Sequence, residues 1–348
     1  MIGLWDTTGN EVVKALAAER RSAGGVASGM ALTLIVVVDE KRVREAEAAA
    51  TIAAAAHPCR LLVVVRSDVD QDRNRLDAEI VVGGRLGPCE AVVTRMYGRL
   101  ALHAESVVMP LLVPDVPVVT WWHEEPPAEI ANDFLGVVAD RRITDAAQAK
   151  DPIEALRQRA RDYAPGDTDL AWSRITPWRT LVAGAFDTTE AQVTGTKVVA
   201  PRTDPTAALM SGWLAARLGV QPEWEHTDEF PRMRSVELRC ANGDQFEIVR
   251  EDSMAAFRRP GQATRNLPLV RRPLGDELAE ELRRLDADQV YAEALGAATG
   301  LTGLQSRPAQ RVHVWKDPAT ASRAEAGISA HPRRARRDPY RQDREEQQ

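Results

Sequence analysis

The sequence predicts a mixed α/β protein: two α/β halves joined by a helical middle segment, followed by a flexible charged tail. Three observations carry that expectation. The runs Leu32 to Val38 and Cys59 to Val65 are strand-length and apolar throughout, as in strands covered on both faces. Between them Lys41 to Ala56 is alanine-rich and ends before Pro58, which marks a crossover helix. A second series of strands and helices starts at Thr196, after a stretch in which helical spacing dominates.

In chain order, Asn10 to Arg21 reads as a helix stopped by Ala23-Gly24-Gly25. The first strand, helix and second strand follow. Leu76, Ala78, Ile80 and Val82 alternate in the next strand, and Gly83-Gly84 turns the chain. Glu90 to Tyr97 is a strand, Leu100 to Leu112 a helix with Pro110 near its end, and Val116 to Trp122 a strand. Asp151-Pro152-Ile153-Glu154 has the pattern of a capping box. Asp167 to Phe186 reads as mainly helical, with a break near Pro177.

In the second half, Thr196 to Ala200 is a strand, and Asp204-Pro205 caps a helix that Gly219 stops. Trp224 lies in a strand. Val236, Leu238 and Cys240 alternate with polar residues, and Phe246 and Ile248 answer them after Asn242-Gly243. A two-residue turn would set Leu238 opposite Glu247. A three-residue loop over 241–243, with Gly243 left-handed, pairs Leu238 with Phe246 and keeps one face apolar. Asp276 then caps one long helix through Leu278, Leu282, Leu285, Ala292 and Leu295 to Gly296. Both halves read β-α-β-β-β-α, so a duplicated fold is a hypothesis that strand order tests. The expected units are an N-terminal α/β domain (1–125), a helical connector (126–190), a C-terminal α/β domain (191–302) and a tail (303–348).

Composition narrows the function. Of 348 residues, 44% are hydrophobic and 28% charged, a globular balance. The net charge of −6 argues against nucleic-acid binding through overall charge. The tail carries about +4 and the remainder about −10, by the same count of Lys, Arg, Asp and Glu. The beginning, Met1-Ile2-Gly3-Leu4-Trp5-Asp6, has no signal-peptide pattern, and no apolar run approaches the ~20 residues of a membrane span. Cys59, Cys89 and Cys240 are few and scattered, as expected of a reduced, cytoplasmic protein.

The search for chemistry returns mostly exclusions. No two glycines stand two apart, which removes the dinucleotide fingerprint, and no Gly-Lys pair exists for a phosphate loop. No serine elbow, C-x-x-C or H-E-x-x-H occurs. No catalytic residue, cofactor site or metal site is therefore expected. His123-Glu124-Glu125 could supply a base and carboxylates at a strand end, although a solvated loop is the favoured reading. His57-Pro58-Cys59 could activate a thiolate, against a plain helix stop and buried thiol. Cys59 and Cys89 could approach if their strands are neighbours.

Tryptophan is the unusual residue: eight, against five Phe and four Tyr, with Trp121, Trp122, Trp172 and Trp178 close in sequence. The last two lie in Gly166-Asp-Thr-Asp-Leu-Ala-Trp-Ser-Arg-Ile-Thr-Pro-Trp-Arg179. On a helix, Arg174 and Trp178 share a stripe, where guanidinium and indole can stack. Core packing and a partner surface both account for such tryptophans.

That segment, with Arg-Arg-Ile-Thr-Asp-Ala at 141–146, His-Pro-Cys-Arg at 57–60 and Val-Val-Thr-Trp-Trp at 118–122, resembles the OpcA family of glucose-6-phosphate dehydrogenase assembly proteins. The resemblance runs from about residue 10 to about residue 300 and leaves out the tail. It implies a non-catalytic partner that assembles or allosterically activates the dehydrogenase at the entry to the oxidative pentose phosphate pathway. The residues proposed for the partner interface are Trp121, Trp122, Arg141, Arg142, Trp172, Arg174, Trp178 and Arg179. The alternative is a sugar-phosphate enzyme or sensor using Arg141, Arg142, Arg174 and Arg179. No membrane or nucleic-acid partner is expected.

Overall fold

The computed structural model describes residues 1–23, 29–67, 69–83, 89–130, 132–186, 191–309 and 312. The chain forms a mixed α/β fold with two sheets. The first sheet takes β1 (Ile2–Leu4), β2 (Leu32–Asp39), β3 (Cys59–Arg66), β4 (Arg75–Val82), β5 (Glu90–Tyr97) and β6 (Val118–Trp122). Two more strands, β7 (Arg141–Thr144) and β8 (Asp167–Asp169), come from the middle segment. Their order is β1-β4-β5-β3-β2-β6-β7-β8. From β5 to β8 all pairings are parallel. β4 and β1 close the other edge antiparallel.

Helices cover both faces of this sheet. α1 (Gly9–Ser22) lies on one, its capping box built by Thr8 and Glu11. α2 (Val43–Ala56) lies on the other, burying Ala46, Ala49, Ala50, Ala53 and Ala54. Burial on both sides is why β3 is apolar from Leu61 to Val65, and why Arg60 sits beneath the surface bonded to Glu90 at 2.9 Å and to the Leu111 carbonyl at 2.7 Å. The expected helix over 100–112 is instead a 3-10 turn at Gly98–Leu102, α3 (Glu105–Val108) and a 3-10 turn at Met109–Leu111. Pro110 offers no N–H to a continuing helix.

The middle segment, expected to be helical, is mixed. It holds α4 (Phe134–Val137), α5 (Pro152–Arg161), α6 (Leu170–Arg174) and α7 (Thr176–Ala185), besides β7 and β8. Asp151 caps α5 by accepting from the Glu154 N–H. The Glu154 carboxylate turns outward to Arg157 and Arg161, so the box is half formed.

The second sheet has the order β10-β9-β11-β12-β13-β14. Its strands are β9 (Val193–Ala200), β10 (Glu223–His226), β11 (Ser235–Cys240), β12 (Gln245–Glu251), β13 (Met254–Arg258) and β14 (Arg265–Pro268). α8 (Pro205–Leu218) crosses from β9 to the parallel β10; it starts at the Asp204 cap and stops at left-handed Gly219. Val236 pairs with Ile248 and Leu238 with Phe246, while Gly243 has φ +85°, as the three-residue loop requires.

The duplication hypothesis does not survive the strand order. Both halves share one parallel β-α-β unit, but β3 has neighbours on both sides whereas β10 is an edge. The sequences explain this. β3 is apolar on both faces, while Glu223, Glu225 and His226 of β10 are exposed and suit only an edge.

The long helix expected from Asp276 to Gly296 is two helices, α9 (Leu274–Leu282) and α10 (Gln289–Thr299). Asp288 restarts the helix by accepting from the Tyr291 N–H at 3.0 Å. The break sends the two pieces to different cores. Leu278 and Leu282 join the α2 side of the first sheet, and Tyr291, Ala292 and Leu295 join the second core with α8. The onset of the expected tail is also packed. Leu304 is fully buried, and Arg307 donates to the carbonyls of Ala160, Arg161 and Tyr163. The rest of the tail beyond 309, other than 312, lies outside the described residues.

Candidate functional site

The Arg/Trp residues singled out in the sequence do converge, at the junction of the two sheets. β7 and β8 run side by side, with Arg142 opposite Asp167 and Thr144 opposite Asp169. Helix α9 arrives from the far end of the chain and lays Glu277, Glu280 and Glu281 against them. Glu277 and Glu281 are four apart, one helical turn, so both face the junction.

Each partner is specific. Arg174 makes a two-pronged bond to Asp145 (2.6 and 2.8 Å) and reaches Glu277 through Nε at 2.9 Å. Arg141 bonds Glu281 and donates to the Asp286 carbonyl at 3.0 Å. The Ser173 hydroxyl donates to the other Glu281 oxygen, and Thr176 to Glu280 at 2.7 Å. His57 Nε2 lies 3.1 Å from the Ala279 carbonyl, which ties the end of α2 to the same helix. Gly275 lets α9 approach: a Cβ there would stand 2.6 Å from the Ile52 Cβ.

Arg142 closes the base of the site. It bonds Asp167 and donates to the carbonyls of Ala139 and Pro165. Gly166, the first residue of the 14-residue motif, has φ +95°, and a Cβ on it would meet the Asp140 carbonyl oxygen at 2.3 Å. The glycine is therefore demanded by its left-handed backbone and by the close Asp140 carbonyl, with the Arg142 guanidinium next to it.

The tryptophans are interior. Trp121 and Trp122 alternate across β6, one toward each core of the first sheet, and both are buried. Trp172 donates through Nε1 to Asp288 at 2.8 Å, packs on Tyr291, and carries the Arg179 guanidinium 3.7 Å from its ring centre. Trp178 is fully buried in the second core. Of the eight residues expected at a partner surface, Trp121, Trp122, Trp172, Trp178, Arg141 and Arg142 are thus inside the chain. Arg174 and Arg179 remain part-exposed. The segment serves two cores: Leu170 joins the α2 side of the first sheet, whereas Trp172 and Trp178 join the second core.

Burial sets the electrostatics. Burial, reinforced by the charge of Asp145, raises the Asp169 carboxyl to about 6, although Thr144 and the Ala146 and Ala171 N–H groups all donate to it. Burial likewise raises Glu277, with Arg174 opposing. Burial works against the charge of Arg174, but its bonds to Asp145 and the field of both carboxylates outweigh it and hold the guanidinium firmly protonated.

The other expected candidates lie elsewhere. His123 is buried against Trp121 rather than in a solvated loop, and burial lowers its pKa. Glu124 bonds the Asp39 N–H at 3.2 Å and pairs with Arg42. Cys59, the first residue of β3, and Cys89, just before the neighbouring β5, do meet, as free thiols, with the Cys59 N–H 3.5 Å from the Cys89 sulfur. Contact with Cys89 and burial push the Cys59 thiol up, which suits the inert, buried reading. Cys240 is a buried free thiol in the second core. Among the described residues no group of three His, Cys, Asp or Glu is placed to hold a metal, and no helix is long and apolar enough to cross a membrane.

The acidic side of the junction, Glu277, Glu280, Glu281 and Asp288, belongs to no motif singled out in the sequence. A signal existed: Glu277 and Glu281 each precede a buried leucine at the same helical spacing, which places them at the border of the buried stripe.

Comparison with known proteins bears on both halves. Two family models of the glucose-6-phosphate dehydrogenase subunit (OpcA) match in succession: its N-terminal assembly domain over residues 50–161 and its C-terminal domain over residues 165–295. The boundary between them falls in the loop between α5 and β8. A protein of Synechococcus elongatus named "Putative OxPP cycle protein OpcA" is 32% identical over 178 residues, 47% of this chain and 37% of its own length. One of the same name from Synechocystis sp. is 28% identical over 184 residues, 49% of this chain and 39% of its own. The match thus spans less than two fifths of either relative. A crystal structure of an NAD binding oxidoreductase from Klebsiella pneumoniae aligns over 83% of this chain and all of its own. The TM-score is 0.36 at 9% identity, too low to support any argument.

Proposed function

Because the chain belongs to the OpcA family of glucose-6-phosphate dehydrogenase assembly proteins, we propose that it is a non-catalytic assembly factor and allosteric activator of that dehydrogenase, acting in the cytoplasm within the oxidative pentose phosphate pathway. The observation that carries this reading is the match of both domain models along one continuous chain. The chemistry of the junction is in keeping with it. Arg141, Arg142 and Arg174 are occupied by Glu281, Asp167, Asp145 and Glu277, an arrangement that ties β7, β8, α6 and α9 together.

An activator must bind the active form of its enzyme better than the inactive form, since equal affinity shifts no population. A rigid two-sheet body suits that task, because little ordering cost opposes docking. Within the Arg/Trp segment the docking role falls on Arg174 and Arg179, the two members that reach solvent, Arg174 held by Asp145 and Glu277 and Arg179 by the Trp172 ring.

The test mixes the purified chain with the glucose-6-phosphate dehydrogenase of the same organism. Expected are co-elution on size exclusion, a larger dehydrogenase assembly, and a changed dependence of rate on glucose 6-phosphate. Separate elution with unchanged kinetics would overturn the reading.

A further inference from the structure

A cavity of about 390 Å³ opens beside the junction, between the start of α8, the end of β12 and the chain leading into α9. Five arginines line it: Arg174, Arg232, Arg250, Arg271 and Arg272. Two carboxylates, Asp204 and Glu277, stand against them. Both carboxylates are already engaged. Glu277 belongs to Arg174. Asp204 accepts the N–H groups of Thr206 (2.8 Å) and Met233 (2.7 Å). Arg272 pairs with Glu280. That leaves Arg232, Arg250 and Arg271 with no ion-pair partner among the described residues.

Arg250 is the informative member. It is partly buried, its Nε donates to the Met233 carbonyl at 3.3 Å, and its guanidinium lies 5.3 Å from the Trp178 ring centre. Neither contact neutralises it. Burial, together with the nearby charge of Arg232, outweighs the opposing field of Asp204 and pushes its pKa down to about 10. A desolvated cation facing another cation is unfavourable unless an anion completes the arrangement.

Other features point the same way. The positive end of α8 faces the cavity, which favours negative charge there. Pro201, Pro205 and Pro231 stiffen the wall, so the site is formed before a ligand arrives. Thr203 and Thr206 add hydroxyls suited to a polyol. The volume is at the small end of metabolite pockets, which suits a monosaccharide-sized ligand better than a dinucleotide.

We propose that this cavity binds a small phosphorylated metabolite of monosaccharide size, with Arg232, Arg250 and Arg271 holding its phosphoryl group. Of the Arg141, Arg142, Arg174 and Arg179 set considered from the sequence, only Arg174 lines this cavity, and Asp145 and Glu277 already occupy it. The cavity walls come from both sheets' units: Ala147 and Gln148 follow β7, whereas Arg232 and Arg250 belong to the second sheet's side. A bound ligand therefore braces the two units together.

The experiment uses the full chain with no dehydrogenase present, so its failure would leave the proposed association untouched; only the choice of sugar rests on that reading. Thermal unfolding and calorimetric titration are run with glucose 6-phosphate, inorganic phosphate and glucose. Glucose 6-phosphate raises the melting temperature, inorganic phosphate raises it less, and glucose leaves it unchanged. In Arg232→Gln/Arg271→Gln, both phosphoryl responses weaken by at least about tenfold in affinity, while the unliganded melting temperature is unchanged. No response to either phosphoryl compound, a response undiminished in the double variant, or an equal response to glucose would overturn the proposal.

Discussion

Arg141, Arg142 and Arg174 at the junction and Arg232, Arg250 and Arg271 around the neighbouring cavity are the same side chain in opposite electrostatic company. Each junction arginine has a carboxylate from a different part of the chain: Glu281 and Glu277 from α9, Asp167 from β8, Asp145 after β7. The cavity arginines line open space, and of the two carboxylates beside it Glu277 is paired with Arg174 and Asp204 accepts backbone N–H groups. An arginine whose charge is met within the fold holds the fold together. One whose charge is unmet beside a preformed cavity is free to meet a ligand. Arginine count alone distinguishes neither.

The sharpest way to break this comparison is to remove one charged group from each environment. Glu281→Ala strands the buried Arg141 charge and the Ser173 hydroxyl, and should cost about 3–5 kcal/mol in denaturant unfolding at constant slope. Arg232→Gln, at the exposed cavity rim, should stay within about 0.5 kcal/mol. Similar costs for the two would mean that the clusters do not differ as described.

A smaller effect sharpens the junction side. Trp172→Phe keeps an aromatic ring against Tyr291 but deletes the hydrogen bond to Asp288, and should cost about 1.5–3 kcal/mol because the acceptor is charged. A cost near zero would show that the Asp288 bond adds nothing beyond ring packing.

A pH dependence from Asp169 tests the same junction by a separate route. Its carboxyl titrates near 6 in the folded chain, above the ordinary Asp value, so the folded state holds the proton more tightly than the unfolded state. Its contribution is therefore complete below the ordinary value and lost as pH rises through about 6. The unfolding free energy of the wild type relative to Asp169→Asn should fall between about pH 4 and pH 6. A flat difference would place the Asp169 pKa at its ordinary position.

Much of the architecture was legible in short segments, for reasons local to them. The apolar runs of β2 and β3 announce double-sided burial, Asp204-Pro205 and Gly219 bracket α8, and the alternation across Asn242-Gly243 permits a single register. The 14-residue motif from Gly166 to Arg179 was legible as a unit, and its leading glycine answers a left-handed backbone and the close approach of the Asp140 carbonyl. What misled was periodicity without context. Leu278, Leu282, Leu285, Ala292 and Leu295 read as one stripe, yet the chain breaks at 283–288 and gives the two pieces to different cores. The tryptophans misled likewise, since a large amphipathic ring suits a sealed interior and a docking surface equally well.

By itself, then, the amino-acid sequence determined the α/β class, most strand and helix positions, the hairpin register and the family, because each rests on neighbours a few residues apart or on one contiguous motif. Only the tertiary structure decided that β7 and β8 complete the first sheet, that α9 returns to pack on its α2 side, and which of the described arginines are left without carboxylates. Those outcomes depend on residues more than a hundred positions apart, such as Arg141 with Glu281 and Trp172 with Asp288. Charge pairing at that separation is a property of where the chain folds back, and no local pattern encodes it.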